Sequence, residues 1–215
     1  MAKIKNEKYL KFIKEGYIEL VTIDQIKQAC ERMKPIRKQQ SKSLLITMFW
    51  TGARPTEILR LRGKDITRKN NYLVINMTGA KHGLPRPIKL PLKLYGVRTL
   101  YDYSKTIFDD VYLFWYYRNS YKRTRINKKG NVVEYKQDSD KLRYHFNKWF
   151  QDMETPINPY YLRHNRFSDL IMRGASFQEI KIMKGSRSMD SVTPYIHMSQ
   201  QIMDKISRQL LKSNK

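Results

Sequence analysis

Four short segments hold residue types that could do chemistry together. Thr51-Gly52-Ala53-Arg54-Pro55-Thr56-Glu57 sets an arginine at a predicted helix start, with an acid three residues on. Thr78-Gly79-Ala80-Lys81-His82-Gly83 puts a lysine in a glycine-bracketed turn. Tyr160-Tyr161-Leu162-Arg163-His164 lies near the start of another predicted helix. Gly185 ends a further one, and Tyr195 follows ten residues later. Guanidiniums are planar and always ionised, so two of them can bind the non-bridging oxygens of a phosphodiester through paired hydrogen bonds. A positioned ammonium can protonate a departing alkoxide. A phenol is a poor nucleophile at neutral pH, because ionising it fully at pH 7 costs about 4 kcal/mol. Neighbouring cations and a proton acceptor lower that cost. Each residue also has an ordinary reading. Arg54 with Glu57 makes a surface ion pair, Lys81 is solvated, Arg163 contacts a polyanion, and Tyr195 is one of 15 tyrosines.

The composition narrows the partner. Lys plus Arg total 43 against 19 acids, giving a net charge of +24 over 215 residues and a pI near 10.1. Such an excess points to a polyanion, with nucleic acid the commonest. A charge-rich surface kept for solubility or heat tolerance would carry more acids than this. A membrane surface lacks support, since no lipidation signal or strongly apolar amphipathic helix is present. No stretch approaches the roughly 20 apolar residues that cross a bilayer. Without a signal-peptide core, an intracellular, soluble protein is expected. The hydrophobic fraction of 40% is enough for a core in one large domain. The single cysteine, Cys30, excludes a Cys-based zinc site and an internal disulfide. The histidines at 82, 145, 164 and 197 have no metal-ligand spacing, so neither a metal nor another cofactor is expected. No P-loop motif is present.

The elements that must position these residues read as mainly helical. Helices are expected over Val21–Arg32 with Thr22 as cap, over the apolar run Ser41–Trp50, and from Pro55 onward. Tyr72–Ile75 and Pro87–Leu90 read as the strands of a β-hairpin around Lys81, with Pro85 and Pro87 marking an edge strand. Val111–Tyr117 is strongly aromatic. Tyr121–Gly130 carries Lys122, Arg123, Arg125, Lys128 and Lys129. It is either a plain solvated linker or a contact to a DNA backbone. Asp138–Met153 and Pro159–Arg173 read as helices, the second stopped by Gly174. Ser176-Phe177-Gln178-Glu179 is a capping box for a helix ending at Gly185. Thr193-Pro194 opens a short helix carrying Tyr195. Ile202, Ile206 and Leu210 stripe a basic C-terminal helix. The fold class is α+β: mainly α with a small antiparallel sheet.

Taken in order, the four segments resemble the catalytic domain of the tyrosine recombinases, or phage-type integrases, across roughly residues 20–198. The resemblance implies that fold, with a basic extension over 1–19 and an amphipathic tail over 199–215. It implies site-specific cleavage and rejoining of double-stranded DNA through a covalent 3′-phosphotyrosine, without metal or ATP. By position, Arg54 and Arg163 match the two catalytic arginines, Lys81 the hairpin lysine, Tyr195 the nucleophile and Glu57 the supporting acid. The first residue of the H-x-x-R motif falls on Tyr160. A Y-x-x-R form is similar to integrases of archaeal plasmids and viruses, so a mobile genetic element is the implied source. Tyr160 cannot act as a histidine-like base, although its hydroxyl can donate to a phosphate oxygen. The position after Gly185, often His or Trp, falls on Ser186. Either the group is missing or the adjacent Arg187 substitutes. His164 and His197 read as supporting residues.

In this family a separate helical domain usually closes around the DNA. Only about twenty residues precede the matching sequence here, as in an excised fragment or a minimal enzyme. A homotetramer on DNA, monomeric or dimeric when free, is implied, with the tail docking on a neighbour or on its own domain. Two other functions fit the residues less fully: a type IB topoisomerase and a catalytically idle DNA-binding regulator.

Overall fold

The computed structural model describes residues 20–79, 84–118, 123–126, 132–135, 140–151 and 157–195, the two short strands among them by backbone alone. Lys81, Lys122, Lys128, Lys129, His82 and His197 lie outside the described residues, as do the extension over 1–19 and the tail over 199–215.

Helix α1 (Ile23–Glu31) starts at a capping box. Gln25 N–H donates to the Thr22 hydroxyl, and Thr22 N–H donates back to the Gln25 side chain. It buries Ile26, Ala29 and Cys30. Helix α2 (Lys38–Thr51) is buried almost all round from Leu44 to Phe49, so it forms the central rod of the core. The buried hydroxyls of Thr47 and Thr51 donate to the carbonyls four residues earlier, at 2.7 and 2.6 Å. Gly52 ends α2 in the left-handed region, with φ +58°. Pro55 then opens the one-turn helix α3 (Pro55–Ile58), where its missing N–H costs nothing.

The chain next makes a three-stranded antiparallel sheet in the order β1 (Ile66–Lys69), β2 (Tyr72–Met77), β3 (Arg86–Pro91). Leu73 opposes Leu90, and Ile75 sits between Ile66 and Ile88, so one face is apolar. The hairpin reading holds, with β3 at the edge and β1 added outside it. Helix α4 (Val97–Ser104) packs against α2. Its N-cap, Gly96, has φ +73°, and a Cβ there would meet Ile46 at 2.6 Å. The run over 111–117 contributes Leu113, Phe114 and Tyr117 to the core.

The basic run after it is not a plain loop. Arg123 and Arg125 lie in β4 (Arg123–Ile126), which pairs antiparallel with β5 (Val132–Tyr135). Charge hides a strand whose partner supplies the hydrogen bonds. Helix α5 (Asp140–Trp149) lies within the expected 138–153 span and gives way to a turn at 150–151. Helix α6 (Pro159–Met172) begins at Asn158, whose side chain accepts from the N–H groups of Tyr160 and Tyr161, both at 2.9 Å. Helix α7 (Phe177–Lys184) has the expected Ser176–Glu179 capping box and ends at Gly185. Turns of 3₁₀ helix follow at Met189–Ser191 and Thr193–Tyr195. Phe167, Ile171, Ile180, Val192 and Tyr195 form a second, smaller core.

Candidate active site

The site is built where the ends of α2, α3, β3, α6 and α7 meet. Arg54 is the N-cap of α3, so its backbone N–H is free to donate to Glu57 at 2.8 Å. Its guanidinium also reaches Glu57, at 3.2 Å. Arg163, one turn into α6, enters the same cluster from the other side, is 6% exposed, and donates to the Gly52 carbonyl at 2.6 Å. That carbonyl is two residues from Arg54. Burial, then the charge of Arg54, brings the Arg163 pKa down to about 10, which leaves it ionised at neutral pH. The two arginines predicted to share a phosphate therefore face one region.

Glu57 is fully buried, and its main partner is one that sequence reasoning missed. Arg86, 6% exposed, donates to both carboxylate oxygens at 3.3 and 3.2 Å. It also donates to the carbonyls of Met183 (2.6 Å) and Leu84 (3.4 Å). Burial alone would raise the Glu57 pKa, but the hydrogen bonds and charge of Arg86, helped by Arg54, hold it below the ordinary carboxylate value. The pair ties the sheet edge to α3 and the end of α7. The signal was available: Arg86 is in phase with Ile88 and Leu90 on an alternating strand, so its side chain must enter the core. Gly185 lets it in, since a Cβ there would run into the Arg86 guanidinium.

Tyr195 is fully buried in the small core, with its phenol 2.8 Å from Nδ1 of His164. Phe167 meets its ring edge-on at 6.2 Å. Cations were expected to ease ionisation of this phenol. Burial wins instead and raises its pKa, with Arg163 opposing only in part. Burial, then Lys184 and Arg163, pushes His164 down to about 3. The imidazole is thus neutral at neutral pH and can accept the phenol's hydrogen at Nδ1 when Nε2 carries its own proton.

Lys184 is the second residue the sequence reading missed. It is 5% exposed, and its ammonium donates to the Ser191 carbonyl and lies 4.7 Å from the Tyr195 ring centre. Burial, then Arg163 and Arg54, brings its pKa down to about 7. Its place four residues after buried Ile180, on the inward face of α7, was the available signal. Tyr160 sits one turn before Arg163 and is 43% exposed. Ser186 spends its hydroxyl on the Ser188 carbonyl at 3.1 Å, and Arg187 is exposed. No group of three or more metal-ligating side chains occurs among the described residues. No described helix is long and apolar enough to cross a membrane.

Comparison with solved structures gives the fold a context. The chain is similar to XerA recombinase, with 16% identity and a TM-score of 0.62, covering 89% of this chain and 65% of that one. It resembles the XerH site-specific recombinase bound to difH substrate in a pre-cleavage complex, with 18% identity, a TM-score of 0.56, and coverage of 87% and 52%. It also resembles the Tn1549 transposon integrase in complex with circular intermediate DNA, with 14% identity, a TM-score of 0.51, and coverage of 87% and 67%. The chain thus spans about two thirds of the first of these proteins and about half of the second. No curated protein matches the sequence. The phage integrase family model matches residues 18–201, a stretch that contains every element described above. The clustered arginines, the tyrosine-bearing turn and this match over most of the length agree: the chain belongs to the phage integrase family, the tyrosine recombinases.

Proposed function

We propose that this chain cuts and rejoins double-stranded DNA at a specific site, with Tyr195 as the nucleophile that forms a 3′-phosphotyrosine. The observation that carries this reading is the convergence of Arg54 and Arg163 beside the Tyr195-bearing segment, at the meeting of α2, α6 and α7. Two fixed guanidiniums neutralise the charge that builds on the phosphate as the phenol attacks. Glu57, locked by Arg86, holds Arg54 in place. Lys81 protonates the leaving 5′ oxygen. Tyr160, on the face of α6 that carries Arg163, donates its hydroxyl to a phosphate oxygen. His164 and Ser186 support, and the adjacent Arg187 substitutes for the group that the position of Ser186 lacks. The phosphotyrosine retains the energy of the broken ester, so rejoining needs no ATP. Tyr195 in this buried position has to swing outward with the 186–195 turn before it can reach a phosphate in duplex DNA.

The same reading takes residues 20–198 as the catalytic unit, 1–19 as a basic extension and 199–215 as a tail. It has the chain act inside the cell as a DNA-bound tetramer, with the basic β4 region contacting DNA backbone. The Y-x-x-R form at Tyr160 supports kinship with integrases of archaeal plasmids and viruses. A nicked suicide substrate carrying candidate sites tests the chemistry. The wild type should leave a covalent adduct that maps to Tyr195, and Tyr195→Phe should bind the duplex but leave none. Adduct at another residue, or none from the wild type, refutes the reading. Mixing two labelled duplexes then separates a recombinase, which joins them, from a topoisomerase, which does not.

A further inference from the structure

At the opposite end of α2 from Arg54 there is a cleft of about 480 Å³ between the end of α1, the start of α2, the 115–117 turn and α5. Arg32, Lys34, Arg37, Lys141 and Lys148 line it, and among the described residues no carboxylate does. Lys34, Arg37, Lys141 and Lys148 enter no ion pair among the described residues. Like charges gathered without counter-charge repel one another, and an anion that neutralises them is bound favourably. His145, in the same wall, reports the field: burial, then Lys141, Lys148, Arg37 and Lys34, push its pKa down.

The aromatic side chains decide what kind of anion fits. Exposed ring faces would suit stacked bases, but Tyr117 is buried and the ring of Tyr116 is covered by cations. Tyr116 has the Arg37 guanidinium at 3.7 Å and the Lys141 ammonium at 3.6 Å from its ring centre. Lys148 lies 4.7 Å from the ring centre of Tyr144. The rings hold the cations in place through cation–π contacts, so the cleft offers mainly charge, with Tyr144 as its one exposed ring among the described residues. Lys141, Tyr144 and Lys148 share one face of α5 at i, i+3 and i+7. The 14 residues of α2 span about 20 Å at about 1.5 Å per residue. That is about six base pairs of duplex at about 3.4 Å each, a separation within the length of one bound duplex.

We propose that this cleft is a second phosphate-binding site, which grips the sugar-phosphate backbone of the bound duplex several base pairs from the scissile bond. It rests on the DNA reading above but on none of the proposed catalytic residues. Each phosphate contact releases counterions and adds about 0.9 to the slope of log affinity against log salt.

The test measures duplex affinity by fluorescence anisotropy across a salt series for three proteins: wild type, Lys141→Gln/Lys148→Gln, and a control. The control, Lys27→Gln/Lys64→Gln, loses the same two charges at exposed, ion-paired positions elsewhere. The cleft variant should lower the slope by about 1.8 and weaken binding at least tenfold at fixed salt, while the control keeps the wild-type slope. Lys148 is exposed, so Lys148→Gln alone, with a drop of about 0.9, carries the test if the double variant melts early. An unchanged slope, or an equal drop in the control, overturns the proposal. So does tight binding of inorganic tripolyphosphate that the cleft variant loses while keeping its DNA slope, because the site would then serve a free polyanion. Adduct formation by wild type with an unchanged cleft-variant slope removes the cleft alone, whereas a wild type that binds no duplex removes both readings.

Discussion

Replacing Lys184 with methionine separates the electrostatic cost of this buried lysine from its packing. The two side chains are similar in length, and the position is 5% exposed. The pKa of Lys184 falls from 10.5 to about 7, driven by burial and then by Arg163 and Arg54. Between about pH 7 and 10.5 the unfolded chain holds a proton on this side chain that the folded chain has released, so stability rises with pH across that window. Below pH 7 both states are protonated and the whole penalty is present. At about 1.36 kcal/mol per pH unit the full penalty is of order 5 kcal/mol. Lys184→Met removes it. The lost donor to the Ser191 carbonyl costs about 1 kcal/mol at any pH. In urea unfolding the variant should be more stable than wild type at pH 7, and the gap should shrink by about 3 kcal/mol by pH 9.5. Other groups titrate in both proteins and cancel in the difference. A gap constant to within about 1 kcal/mol over that range would refute the argument, since the ammonium would then lie in a water-like environment.

Three further outcomes follow from the same cluster. Arg86→Met strands the Glu57 carboxylate in the core and should cost about 3–5 kcal/mol in denaturant unfolding, with Glu57→Gln relieving part of the loss in the double variant. Gly185→Ala combines a residue at φ +62° with a Cβ pressed onto Arg86, so it should lower the thermal midpoint by several degrees. His164 has a pKa of about 3 against an ordinary 6.5, so its contribution is complete above pH 6.5 and drains away as the pH falls toward 3. His164→Gln should flatten that part of the acid-unfolding curve relative to wild type, and parallel curves would contradict the assignment.

Much of the helical frame was legible in the sequence because local signals decide it. Thr22, Pro55, Pro159, Ser176 and Gly185 mark helix ends through caps and backbone geometry that need no distant partner. The apolar run of α2 and the alternation of β2 and β3 set which faces turn inward. Strand β1 escaped notice because only Ile66 of its four residues is buried and the others are exposed. Its strand character comes from pairing with β2. Strand β4 was hidden in the same way beneath its charge. In the site, the order and types of Arg54, Arg163 and Tyr195 were readable, but their environments were not. Tertiary structure alone gave Glu57 to Arg86 across 29 residues, brought Lys184 under the Tyr195 ring and placed the phenol on His164. Burial and long-range charge set which proton each group keeps, and both depend on neighbours that a linear reading cannot supply.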